Sequence, residues 1–216
     1  MIIDFNAHFG ASPEMMTSCS AEALARMEKA AGIDVAVASD LAGAFGGAAS
    51  EDDLPPRRFA IFTSLSPDFD PHALPPAGGV RIYPTYHVWD LGSESAASLL
   101  STARERNLIV QIYLRLRDPR ALPVKVAIAE VIQQVYKLAQ TNADVRFVIS
   151  GVNYAEVKGN QELFGRPNVW TDTSHVQHPI NSLPKLLELI DSSHLLFGSG
   201  APVLYPYANV FRVINS

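Results

Sequence analysis

A chain of 216 residues that is 48% hydrophobic and 18% charged has the apolar content for one substantial core. Its formal net charge of −5 argues against a nucleic-acid backbone or an anionic membrane as the main partner. The single Cys19 forms no internal disulfide, no apolar stretch is long enough to span a bilayer, and no basic-then-apolar leader opens the chain, so a cytoplasmic protein is expected.

Ile2 to Asn6 reads as a first strand whose polar, alternating tip carries His8. Ser20 caps a helix over Ala21 to Ala31, and Gly32 stops it. Ile33 to Ala38 is a second strand, followed by a Gly/Ala-rich stretch and an acidic, proline-bearing segment, Glu51 to Pro56. Gly43 to Gly47 lacks the lysine and the strand-to-helix setting of a phosphate loop, and reads as a flexible lid or a disordered loop. Phe59 to Leu65 is a third strand, and the proline-rich Ser66 to Ala77 has no helical period. Gly79 to Pro84 is a fourth strand, ended by its proline.

Ser93 caps a helix that runs to Arg106. Leu108 to Leu116 is a fifth strand in which Gln111, Tyr113 and Arg115 alternate with apolar residues. Val124 to Gln140 is the longest helix. Val145 to Ser150 is a sixth strand, Ala155 to Phe164 a short helical turn, and Val169 to Thr173 a seventh strand. Leu183 to Asp191 is a helix, His194 to Gly198 an eighth strand, and the tail from Pro206 a last helix. Eight strands mostly alternating with helices, without a hairpin signal, point to a parallel sheet; an open doubly wound sheet is one arrangement, and eight such units point more to a small closed (β/α)8 TIM barrel. It forms one domain over 1–216, with shortened second and third βα units.

In such a barrel the strand ends build the site. They carry Asn6 and His8; Ser39 and Asp40; Ser64; Arg81, Tyr83, Tyr86 and His87; Tyr113 and Arg115; Ser150 and Asn153; Asp172, Ser174 and His175; and Ser199. The set is rich in tyrosine, arginine and amides. It is poor in the convergent His and Asp/Glu that hold a divalent metal.

Asp4-Phe5-Asn6-Ala7-His8 resembles the Asp-x-His-x-His opening of the amidohydrolase superfamily. Leu196-Phe197-Gly198-Ser199-Gly200-Ala201-Pro202 is similar to the closing motif of its amidohydrolase-2 branch, which includes aminocarboxymuconate-semialdehyde and related decarboxylases. Arg81-Ile82-Tyr83-Pro84-Thr85-Tyr86-His87 resembles that branch's fourth strand, and Arg146 to Gly151 its sixth. Together with Arg115-Leu116-Arg117-Asp118, the Arg81 to His87 segment also resembles an uncharacterised subgroup of these proteins.

The resemblance implies a metal-dependent-hydrolase barrel, with zinc or another divalent ion as the family cofactor. The residues at the matched positions depart from that. The first metal histidine falls on Asn6, the fifth-strand histidine on Tyr113, the sixth-strand histidine on Gly151 and the last aspartate on Gly200; only His8 is kept. A catalytic zinc needs about three protein ligands and an open position. No metal cofactor is therefore expected.

Two function classes follow. One is a hydrolase or decarboxylase of amidohydrolase type, working without metal on a small molecule with a carboxylate or phosphate. His8 would be its acid/base group. Arg81 and Arg115 would clamp the anion, with Asn6, Tyr83, Tyr86, His87, Tyr113, Asn153 and Asp172 completing the site. The other is a non-catalytic barrel that binds a small anion or serves as a partner subunit. His8 as a buried structural histidine, and either arginine in a structural ion pair, are the bland alternatives. An apolar flank at the shortened units would be covered in a homodimer.

Overall fold

The computed structural model describes residues 1–47 and 57–216; the acidic segment Glu51 to Pro56 lies outside them. Eight parallel strands are found among the described residues: β1 (Ile3–Ser12), β3 (Val35–Asp40), β4 (Phe59–Leu65), β5 (Gly79–Ile82), β6 (Ile109–Tyr113), β7 (Arg146–Ser150), β8 (Val169–Asp172) and β9 (Leu195–Leu196). They follow one another in the sheet in chain order. The first and last then meet. Phe5 N donates to Phe197 O at 2.8 Å, Gly200 N to Asn6 O at 2.8 Å and His8 N to Ala201 O at 2.7 Å, which closes the barrel.

The hairpin that the sequence does not announce is β2 (Thr17–Cys19), which pairs antiparallel with Gly10 to Ser12 and lengthens β1 well past Asn6. Its connection, Pro13 to Met16, is a 3-10 turn ending on a left-handed Met16 rather than an Asn-Gly type turn. The last strand is shorter than expected because from Phe197 onward the chain leaves β8 and pairs with β1. The second strand lies two residues later than expected, since Ile33 N still closes on Glu28 O behind the helix.

The helices follow their caps. Ser20 Oγ accepts from Ala23 N at the start of α1 (Ala21–Ala30). Pro84 opens α2 (Pro84–His87). Ser93 Oγ caps α3 (Glu94–Glu105). Next come α4 (Ile128–Thr141), α5 (Tyr154–Gly159), α6 (Gln161–Phe164), α7 (Ser182–Leu187) and α8 (Pro206–Ile214). The α4 helix starts four residues later than its apolar period suggests, because Lys125 N and Val126 N donate to Thr85 O instead. After β3 and β4, the described residues hold only 3-10 turns, Ala42–Phe45 and Pro71–Ala73, so the second and third units are the shortened ones.

The main core lies between strands and helices. Val80, Val110, Ile112 and Phe147 pack against Leu99 and Ala103 of α3 and Val131 and Val135 of α4. Each fully buried aliphatic side chain there contributes about 1.5–3 kcal/mol. A bulge in β1 sets Asp4 opposite Ala36 but Ala7 opposite Ala38. That extra residue turns Asp4 outward to α1 while Asn6 and His8 face the lumen.

Candidate functional site

The lumen holds a dense polar layer. Arg81 on β5 is fully buried and lies level with Gln111 on β6. Its Nε donates to Gln111 Oε1 at 2.9 Å, and its Nη1 to Ala7 O at 2.9 Å and His8 Nε2 at 3.0 Å. Its guanidinium carbon sits 5.7 Å from the centre of the Tyr113 ring, within cation–π range. Gln111 Nε2 continues to Ser150 Oγ at 2.7 Å. The Tyr83 hydroxyl lies 3.2 Å from the same His8 nitrogen.

His8 is 0% exposed. Arginine only donates, so His8 Nε2 accepts, and the neutral ring carries its proton on Nδ1. Burial first, then the charge of Arg81, hold its pKa well below the usual value. Its basic lone pair is thus engaged. Burial also pushes the Tyr83 phenol up, and burial with the charge of Asp172 pushes Tyr113 well above the ordinary range.

Beside this layer Tyr113 donates to Asn6 Oδ1 at 2.9 Å. Asn6 Nδ2 reaches Asp172 Oδ2 and Ser174 Oγ, each at 3.1 Å. Ser174 Oγ lies 3.1 Å from His175 Nδ1. Gly198 makes room for this junction, since a Cβ there would come within 2.6 Å of Asp172 Oδ1. Above the lumen, Met15, Leu41, Ala44, Leu116 and Leu122 pack with Tyr83, Tyr86 and Tyr113 as an apolar cap.

The open cleft lies to one side of that cap. It encloses about 680 Å³ between the ends of β6, β7 and β8, with Arg115, Arg117, Asn153, His175, Gln177 and Leu204 on its walls. Arg115 is 8% exposed and forms an ion pair with Glu156. Glu156 is itself fixed by a capping box. Its Oε2 accepts from Asn153 N at 2.9 Å, and Asn153 Oδ1 accepts from Glu156 N at 3.0 Å. Arg117 is tied to Met15 O and Thr17 Oγ1 of the hairpin. Burial lowers the pKa of His175 to about 4, against the pull of Asp172.

The expected single site is therefore divided. Asn6, His8, Arg81, Tyr83, Tyr113 and Asp172 meet in the lumen; Arg115 and Asn153 line the cleft. The two arginines form no common clamp, because Arg81 lies level with Gln111, four residues before Arg115 in register. An acid/base role for His8 toward a cleft ligand is likewise not provided for: its Nε2 is engaged and it does not line the cleft. Tyr86 is a packing residue rather than a wall of the site. Its hydroxyl accepts from Leu116 N at 2.9 Å and its ring packs on Phe45. His87 is half-buried against Tyr83, ring centres 6.0 Å apart, and does not reach the cleft. Glu156 escaped the sequence reading, although the Asn153-x-x-Glu156 spacing is a capping-box signal.

The matched ligand positions offer a divalent ion little. Their one imidazole has a guanidinium on its Nε2. Gly151 has φ +77°, and a Cβ there would stand 2.5 Å from Arg115 O, so no ligating side chain fits. Among the described residues no group of three or more His, Cys, Asp and Glu stands together as a ligand set.

No family model and no curated protein matches the chain. Solved structures do. The 5-carboxyvanillate decarboxylase of Sphingomonas paucimobilis matches with a TM-score of 0.67 at 13% identity, over 99% of this chain and 92% of that one. A probable 2-pyrone-4,6-dicarboxylic acid hydrolase of Acinetobacter baumannii, solved with citric acid, gives 0.63 at 11% over 99% and 91%. An amidohydrolase of Burkholderia multivorans, solved with zinc, gives 0.65 at 13% over 100% and 90%. The fold is that of the amidohydrolase barrels.

Proposed function

We propose that this chain is an amidohydrolase-type barrel that takes a small carboxylate-bearing molecule at its mouth and acts on it as a hydrolase or decarboxylase, without a divalent metal. The observation that carries the reading is Arg115, held by Glu156 on the wall of a cleft at the C-terminal ends of the strands. A guanidinium fixed in this way recognises carboxylate or phosphate. Calorimetry with malonate and inorganic phosphate should show binding to the wild type that Arg115→Ala removes. No binding to either, or binding that ignores the substitution, would sink the reading.

Metal independence is supported by the donors of the lumen, where Arg81 holds the place beside His8 that a cation would need. Elemental analysis after purification without chelator tests it, and stoichiometric zinc or manganese would overturn it.

A non-catalytic barrel that binds a small anion or serves as a partner subunit is the second reading. The engaged Nε2 of His8 favours it. Anion binding without turnover across acyl, ester and decarboxylation substrates would select it over an enzyme.

The reading has no nucleic-acid and no membrane partner. No helix among the described residues is long and apolar enough to cross a membrane. A homodimer remains part of the proposal, supported by Ile61, 48% exposed on β4 in the shortened third unit. A monomer mass by light scattering would reject it.

A further inference from the structure

We propose that Asn6 and Tyr113, two positions where the resembled family carries metal ligands, act here as links in a hydrogen-bond chain that fixes His175 as its Nε2–H tautomer. The cleft then takes a ligand group whose acceptor oxygens meet both His175 and Arg115. The inference rests on the anion-binding reading for its ligand, but not for its tautomer.

The chain starts at Asp172, which accepts at both oxygens, from Ser174 N at 2.9 Å and from Asn6 Nδ2 at 3.1 Å. That contact sets the orientation of the Asn6 amide. Its oxygen faces the Tyr113 hydroxyl, which donates at 2.9 Å. Its second N–H goes to Ser174 Oγ at 3.1 Å. Ser174 thereby receives a proton donor, and its own hydroxyl proton is free for His175 Nδ1, 3.1 Å away. An imidazole that accepts at Nδ1 carries its proton on Nε2.

His175 Nε2 and Arg115 Nε are both buried and have no hydrogen-bond partner. The Leu116 carbonyl favours a proton on the His175 ring but stands outside hydrogen-bond geometry. Both residues line one cleft, but these two nitrogens are closed to solvent, so an acceptor in the cleft meets them only with a small shift of the side chains. Buried donors discriminate strongly against groups that cannot accept. Asn6, Tyr113 and Ser174 are positioning residues in this account, since they act through His175.

The test is the nitrogen spectrum of His175 in the 15N-labelled full chain, without ligand, at neutral pH. A bare Nδ1 with a protonated Nε2 is expected. A proton on Nδ1, or an imidazolium, overturns the inference in the wild type alone, whether or not any variant folds. Ser174→Ala should allow both tautomers, and Ser174→Thr should restore the single one. An unchanged spectrum in Ser174→Ala removes Ser174 from the chain and overturns the proposal.

Inorganic phosphate is the ligand probe. It should shift the Nε2–H proton of His175, and His175→Ala should weaken its binding at least about tenfold. Phosphate that binds without touching that proton overturns the shared-acceptor part. The expected tautomer without any phosphate or malonate binding removes the anion-binding reading and the ligand inferred from it, while the chain itself stands.

Discussion

His8 meets Arg81 and Tyr83 through a single ring nitrogen, so its side chain is held inside the lumen. Replacing it with alanine leaves Arg81 Nη1 on the Ala7 carbonyl alone. Loss of a buried partner costs about 1–3 kcal/mol. In a domain of this size each kcal/mol lowers the melting temperature by roughly 2–4 °C. His8→Ala should therefore lower the melting temperature and leave phosphate affinity at the mouth unchanged. Affinity that falls with it, measured by calorimetry on the same sample, would join the two sites after all. The tyrosines offer a second reading of the lumen. Tyr83 and Tyr113 have phenols pushed up by burial. In an alkaline spectrophotometric titration both should ionise only as the fold opens.

At the scale of elements, β1 and α1 share a buried acid pair. Asp4 is 0% and Glu28 1% exposed. Asp4 Oδ1 accepts from Asn6 N and Ser199 N, both at 2.8 Å, and Asp4 lies near enough to Glu28 to act on its carboxyl. Burial, with Asp4 beside it, raises Glu28 to about 9, and burial raises Asp4 to about 6. The folded state therefore holds these protons more tightly than the unfolded chain. The stability they contribute is complete below the ordinary carboxylate range and is lost as the pH rises through about 6 and then about 9. Glu28→Gln should flatten the alkaline decline in melting temperature and match the wild type in mild acid. A steeper decline would show that Glu28 is not the group that loses its proton there.

The turn after β7 is equally constrained: Gly151→Ala should cost about 1–3 kcal/mol in a denaturant melt, because the backbone there is left-handed and the added Cβ would stand 2.5 Å from Arg115 O.

Elements such as these were legible where the signal is local. Ser20 and Ser93 marked helix starts, and the apolar runs marked the strands to within a few residues. The hairpin at β2 was not legible, because its turn has no glycine at a left-handed position. The split of the site was hidden for a different reason. Whether a strand tip is open depends on Met15, Leu41 and Leu122, which arrive from other units, and whether Arg81 meets Arg115 depends on register between strands.

For the molecule as a whole, closure is one of the sparser joins in the barrel wall. The seam between β1 and the stretch just after β9, Phe197 to Ala201, rests on three backbone hydrogen bonds, whereas β6 and β7 pair along five residues. The seam is braced from outside by α8, whose Asn209 side chain donates to Ser199 O and whose Arg212 donates to Thr173 O at 2.8 Å. Hydrogen exchange should find the amides of Phe5 and Gly200 opening before those of Val110 and Ile149. Asn209→Ala should widen that gap while sparing the β6–β7 amides; uniform loss across the barrel would place the brace elsewhere. The apolar cap over the lumen bears on how this protein tolerates variation. Positions 6, 8, 81 and 113 sit where catalytic machinery is customarily sought, yet they are roofed over like interior packing. In a saturation library, substitutions at 8 and 81 should track cellular abundance, those at 6 and 113 should also alter recognition through His175, and those at Arg115 and His175 should alter recognition most. Selection on this chain would then read these lumen positions as architecture.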